Sequence, residues 1–429
     1  TWQLCTLRPR QGPEHAAMLH GQKKEADRRT PEEKEKHAQA VAKKISEYNT
    51  LVSDILLKNK KDEFDHACFD STLSVLRFNS EFYTAWNVRR RCLINILNDG
   101  LSTLAGLEDG LDQVEQQGGT DLSERVVDVE KEIFGLLARE LEFTVECLKA
   151  NPKSYWVWTH RRVALSWICN IFCFSVRLLL PPQVGKKEAP PAGPALPGQQ
   201  KQARCRQKVD ALLAAEFGLT EKLFRLDGRN FHCWNHRRWL VSLVQAMSPA
   251  SFAATCTTML QRHPAEYVHL QRHHHLPEDV EKELAFTRKL IDLDFSNYSA
   301  WHQRSKLLPA VYTERSAFLE AVLKEIDLVQ NAFWTKPEDS SAWFYLRWLL
   351  AENPSAAPGQ VESVNTLLAE GDLKEEEKKW PLFTLAILKA MLPEAQRDEA
   401  ARRALLEQLQ LQDPDRREHY TALLARMPC

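Results

Sequence analysis

The chain has 429 residues, 44% apolar and 27% charged, with a formal net charge of −1. A balance this neutral gives no global attraction to nucleic acid or to an acidic membrane, and the length suits a large core or an extended repeat array. Fifteen glycines beside twelve tryptophans favour helices and call for a structural reason for so many indoles.

Residues 1–17 lack the apolar core of a signal peptide and read as a non-native or disordered N-terminus, with Met18-Leu19-His20-Gly21 a more natural opening. Residues 22–45 are rich in Lys and Glu and read as a solvated helix face. Thr30-Pro31-Glu32-Glu33 combines an N-cap, a proline at the first helical position and acids in the first turn, so a helix is predicted from there.

An internal repeat then dominates. Five tryptophans share their surroundings: Tyr83 with Trp86 and Arg89, Tyr155 with Trp158 and Arg161, Phe231 with Trp234 and Arg237, Tyr298 with Trp301 and Arg304, and Trp343 with Arg347, here one residue later. Eighteen residues before each of the last four tryptophans stands a glutamate (Glu140, Glu216, Glu283, Glu325), followed three residues on by Phe143, Leu219, Phe286 or Leu328. Seven residues before the first four stand Asn79, Asn151, Asp227 and Asp294. Each unit reads as an αα-hairpin: a first helix carrying the glutamate, a stop at Asn or Asp, and a second helix with aromatic, Trp and Arg on one face. Such hairpins bury their apolar faces only by stacking. The tryptophans are therefore expected in the core, and the arginines are expected to pair with acids of neighbouring helices. The fold class predicted is all-α, an α-α superhelix of stacked hairpins.

The tryptophans are spaced by 72, 76, 67 and 42 residues. The larger intervals imply insertions near 99–120, 181–206 and 248–280. The first reads as a surface loop, and the Pro-rich second as disordered or extended. The third contains His273-His274-His275, read as an adventitious metal binder. Residues 163–180 form an apolar run, but Asn170, Arg177 and Pro181-Pro182 favour a buried helix over a membrane span. The repeat domain thus covers 18–350. Residues 351–429 lack the Trp–Arg signature and read as a helical capping region. Ten cysteines without a CxxC pair, most in apolar helical stretches (Cys147, Cys233, Cys256), read as buried free thiols of a reducing compartment. No metal site is expected on this chain.

A repeated Trp-x-x-Arg on the second helix of αα-hairpins resembles the α subunits of protein prenyltransferases. The segments at 230–234, 297–302 and 328–345 are most similar to the Rab geranylgeranyl (type II) branch. The resemblance implies a cytoplasmic heterodimer in which this chain is not catalytic alone. A partner β subunit, an α/α barrel, would hold the catalytic zinc; this chain itself binds no cofactor. The reaction implied is transfer of geranylgeranyl from geranylgeranyl diphosphate to C-terminal cysteines of Rab GTPases presented by a Rab escort protein. Asn151-Pro152-Lys153-Ser154-Tyr155 matches the motif whose lysine points toward the diphosphate, which implies a catalytic contribution from Lys153 with Tyr155 nearby. Asn230-Phe231-His232 lies where the farnesyl type has Asn-Tyr-His. Phe231 lacks the hydroxyl, so only His232 carries over. Two other readings stay open: the α subunit shared by farnesyltransferase and type I geranylgeranyltransferase, and a tetratricopeptide-like peptide-binding scaffold.

Overall fold

The computed structural model describes residues 30–114, 120–178, 197–246 and 277–427, and among them every regular element is a helix. They fall into two compact units that divide between residues 273 and 274. The first holds α1 (Pro31–Lys60) and the hairpins α2 (His66–Phe78) with α3 (Tyr83–Val114), α4 (Thr120–Ala150) with α5 (Tyr155–Leu178), and α6 (Pro197–Leu226) with α7 (Phe231–Ala246). Each hairpin packs on the next through α3 against α4 and α5 against α6. The second unit holds α8 (Pro277–Leu293) with α9 (Tyr298–Val311), α10 (Arg315–Thr335) with α11 (Ser340–Glu352), α12 (Ala357–Glu370) with α13 (Lys379–Met391), and α14 (Glu399–Gln412) with α15 (Arg417–Leu424).

Local chemistry sets the boundaries. Thr30 accepts from Glu33 N while Glu33 accepts from Thr30 N, a capping box at the predicted start of α1. The Asn or Asp before each second helix closes the turn: Asn79, Asn151, Asp227 and Asp294 each accept from the backbone N–H two residues on. Asn230 and Asn297 then cap α7 and α9.

All five repeat tryptophans are at most 3% exposed. Every indole Nε1–H donates to the carbonyl six residues earlier, of Ser80, Pro152, Gly228, Phe295 or Pro337, at 2.8–2.9 Å. The indole therefore fills the core and also pins the inter-helix turn. Trp301→Phe keeps most of the apolar contact but leaves the Phe295 carbonyl without its donor. A loss of about 1–3 kcal/mol is expected, measured by urea unfolding.

The loop expected over 99–120 is not one where the structure describes it: α3 continues to Val114 and α4 begins at Thr120. Within α3, a Cβ on Gly100 would come within 3.0 Å of the Ile133 side chain on α4. Likewise α6 begins at Pro197 and α8 at Pro277, so parts of the expected 181–206 and 248–280 insertions are helical. Residues 1–17, the segment 18–21 with His20, the Pro-rich tract 181–196 and His273–His275 lie outside the described residues. The apolar run after Val163 is explained by burial, since Val163 through Cys169 are all enclosed. Among the described residues no helix is long and apolar enough to cross a membrane. Cys68, Cys92, Cys147, Cys169 and Cys233 are free and buried, and burial raises each of their thiol pKa values; Cys256 lies outside the described residues.

Candidate functional site

The signature arginines and glutamates form a buried ladder. Arg89 on α3 grips Glu140 on α4 with two bonds, Nε to Oε2 at 2.8 Å and Nη2 to Oε1 at 2.5 Å. Arg161 on α5 grips Glu216 on α6 the same way, and in the second unit Arg304 on α9 grips Glu325 on α10. The arginine of one hairpin thus meets the glutamate of the next, and the planar fork fixes their register. The remaining guanidinium nitrogen is satisfied inside its own hairpin. Arg89 Nη1 donates to Phe69 O and Thr72 Oγ1, Arg161 to Leu141 O and Thr144 Oγ1, and Arg304 to Leu284 O and Thr287 Oγ1. Arg237 makes the matching bond to Thr220 Oγ1.

A third partner holds each glutamate from its own hairpin. His160 Nε2 lies 2.8 Å from Glu140 Oε2, His236 Nε2 lies 2.7 Å from Glu216 Oε1, and the Tyr345 hydroxyl donates to Glu325 Oε2 at 2.8 Å. Burial alone would raise the carboxyls. It is outweighed by His160 and Arg89 at Glu140 and by Arg161 and His236 at Glu216, so both are held at about 2. Burial lowers both histidines, His236 to about 4. They are therefore neutral donors through Nε2, which matches the buried Nδ1 atoms that have no hydrogen-bond partner.

The ladder ends where residues turn apolar. The hairpin of Trp86 has Cys68 and Val88 in place of glutamate and histidine. The hairpin of Trp343 has Leu346 and Val329 in place of arginine and threonine, all four being buried. Arg347 is consequently not the displaced signature arginine. It sits four residues after its tryptophan, in register with Arg90, Arg162 and Arg238, and lies over the rings of Phe344 and Phe383.

The N-terminal ends of α3, α5 and α7 gather the residues singled out for chemistry. Tyr155 meets His232 edge-on at 4.1 Å, and Phe231 lies 3.9 Å from His232. Lys153 Nζ lies 3.1 Å from Asp227 Oδ2, and Asn230 Nδ2 donates to Pro152 O at 3.0 Å, tying the two turns together. Lys153, Tyr155 and His232 are thus neighbours on adjacent hairpins. Burial first, then the charge of Arg162, lowers the His232 pKa, so the ring is a neutral hydrogen-bonding group at neutral pH. Beside them Tyr83, Tyr155 and Phe231 remain 48%, 60% and 49% exposed, and the Tyr83 ring lies 4.4 Å from Trp156, tilted by 47°. This surface sets exposed aromatic rings beside the Lys153–Asp227 pair, a composition suited to a macromolecular contact.

The threonines and the His, His and Tyr two residues after tryptophan escaped the sequence reading. Both stand at fixed offsets from tryptophan, so alignment of the repeats alone held the signal. Among the described residues no three His, Cys, Asp or Glu side chains converge as a metal site.

Segments 137–168, 213–244, 280–311 and 322–353 match the protein prenyltransferase alpha subunit repeat. The chain is 30% identical over 313 residues to geranylgeranyl transferase type-2 subunit alpha of Sus scrofa, which covers 72% of this chain and 38% of that protein. It is 29% identical over 403 residues to the protein of that name from Dictyostelium discoideum, covering 92% of this chain and 96% of the relative. The one from Candida albicans is 26% identical over 333 residues, 72% of this chain and 67% of its own. The chain therefore spans 38% of the length of the pig relative.

Proposed function

Because this chain belongs to the protein prenyltransferase α-subunit repeat family, we propose that it is the α subunit of a Rab geranylgeranyltransferase. The observation that carries the reading is the Dictyostelium type-2 α subunit, which aligns along nearly the whole of both chains. The partner is a β subunit, which seats against the exposed Tyr83, Tyr155 and Phe231 and supplies the catalytic zinc. The complex works in the cytoplasm on Rab proteins delivered by an escort protein.

In the reaction a cysteine thiol loses its proton, its sulfur bonds to C1 of geranylgeranyl diphosphate, and the C1–O bond breaks to release diphosphate. A zinc held by the β subunit would stabilise the thiolate. This chain contributes charge to the leaving group. Lys153 is paired with Asp227 through partly exposed side chains, 37% and 21% accessible. Such a pair is weak, so the ammonium can turn to a diphosphate at little cost. Neutral His232 offers a hydrogen bond beside it, and Tyr155 holds the imidazole in place by its edge contact.

The test is coexpression with a type II β subunit, followed by transfer from geranylgeranyl diphosphate to a Rab, with and without escort protein. A CaaX protein is the parallel substrate. Escort-dependent transfer to the Rab alone is expected. Transfer to the CaaX protein moves the chain to the shared farnesyl and type I subunit, and failure to associate with any β subunit leaves the peptide scaffold. In the active complex Lys153→Ala is expected to lower kcat by about 10–100-fold, with an unchanged melting temperature.

A further inference from the structure

The second arginines, four residues after tryptophan, are partnered differently. Arg90 donates to Asn87 Oδ1 and Arg238 to Asn235 Oδ1, each three residues back on the same helix. Arg347 lies over two aromatic rings. At Arg162 the residue three back is Thr159, whose hydroxyl is committed to Tyr155 O at 2.9 Å. Arg162 is half-buried, its Nε is enclosed without a hydrogen-bond partner, and among the described residues it makes no ion pair. Burial, with the charge of Arg238 second, lowers its pKa to about 10, so it stays a cation at neutral pH. An enclosed guanidinium N–H without an acceptor is destabilising in the free chain.

The neighbourhood is cationic. Arg162 and Tyr155 share one face of α5, seven residues apart, and Arg162 and Lys153 both disfavour the charged form of His232. The carboxylates nearby are engaged elsewhere: Asp227 with Lys153 and Glu81 with Asn151 Nδ2 at 3.0 Å. None reaches Arg162. Nine residues separate Lys153 from Arg162, roughly 10–14 Å along the start of α5, which two extended basic side chains can close upon an anion of two linked phosphates.

We propose that Arg162, whose guanidinium has its Nε unpartnered, is a further cationic group of the diphosphate site and donates to the diphosphate that Lys153 also meets. The ligand class is a diphosphate ester and its product, inorganic diphosphate. The assignment rests on the geranylgeranyl-transfer reading above.

The experiment uses the complex with a type II β subunit carrying Arg162→Met, Arg162→Lys or, as the control at the equivalent position, Arg90→Met. Inhibition by inorganic diphosphate, kcat, KM for the Rab and the subunit dissociation constant are measured for each. Arg162→Met is expected to weaken diphosphate inhibition and lower kcat by roughly tenfold or more, with KM for the Rab and subunit affinity unchanged. Arg162→Lys recovers part of both, and Arg90→Met changes neither. If Arg162→Met does not fold, the lysine variant decides, since loss of the fork still shifts diphosphate inhibition. Wild-type inhibition and kcat in the variants overturn the assignment. So does a loss confined to subunit affinity, which instead gives Arg162 to a carboxylate of the partner. A wild-type complex that transfers nothing refutes the transferase reading, and the assignment with it. Normal transfer with unaffected Arg162 variants refutes the assignment alone.

Discussion

Glu216→Ala is expected to lower the unfolding free energy by about 3–5 kcal/mol, because it leaves a buried charge without its partner. Arg161 and His236 both converge on this carboxylate, and none of the three exceeds 4% exposure. Removing the carboxylate strands a guanidinium that water cannot reach and takes the acceptor from a buried imidazole. The glutamate is also the link between α5 and α6, so its loss removes the fixed register of two hairpins. Glu216→Gln keeps the shape and one acceptor oxygen and is expected to cost less. The decisive comparison is Glu216→Leu with Arg161→Met. An apolar pair of similar volume avoids the desolvation of two ions, and the ladder itself uses apolar residues at its ends, Cys68 with Val88 and Val329 with Leu346. The double variant should therefore recover most of the stability lost by Glu216→Ala in guanidinium unfolding. A single variant that costs under about 1 kcal/mol would show that the ladder does not hold the hairpins together.

The ladder was legible in part before any coordinates. Glu140, Glu216 and Glu325 stood out by their offset from tryptophan, and pairing of the arginines with acids on neighbouring helices was predicted. What the offset did not reveal was direction, that an arginine reaches forward to the next hairpin's glutamate. The first copy carries Cys68 where the others have glutamate, which is the trace of that direction: no preceding signature arginine arrives there. The misreading of Arg347 has the same root. Counting an arginine near a tryptophan ignores that successive helical positions differ by about 100°, so one residue moves the side chain from the buried seam to another face. The loop expected at 99–120 from its several glycines and acids is largely helix, α3 running to Val114 and α4 starting at Thr120, because such residues do not stop a helix that packs on a neighbour, as α3 does on α4. The cluster of Lys153, Tyr155 and His232 was named by resemblance. Its closeness depends on the contact of α5 with α7, which spacing along the chain does not encode. Arg162 went unnoticed because its distinction is the lack of a partner, visible only once the carboxamides of Asn87 and Asn235 are seen to serve its counterparts.

Stability is expected to fall on acidification from near pH 6.5, well above the range where carboxylates alone act. His236 is buried as the neutral ring, and its pKa drops from an ordinary 6.5 to about 4, burial outweighing the Glu216 contact. Between those values the unfolded chain takes up a proton that the folded chain excludes. The contribution is therefore fully present above 6.5 and is lost as the pH falls toward 4, by roughly 3 kcal/mol for a depression of this size. His160 is depressed in the same direction and adds to the slope. Glu140 and Glu216, held at about 2 against an ordinary 4.5, act later: their contribution is present above 4.5 and disappears toward 2. His236→Gln separates the two limbs. Gln303 occupies the corresponding buried position on α9, so an amide fits this slot of the repeat and can still donate to the carboxylate. The variant should lose part of the fall in melting temperature between pH 6.5 and 4 and keep all of the fall below 4.5, with His160 accounting for what remains of the upper limb. An unchanged upper limb in His236→Gln, followed by melting curves from pH 7 to 4, would mean that His236 is not the neutral buried donor described here and that its proton is held in the folded state as well.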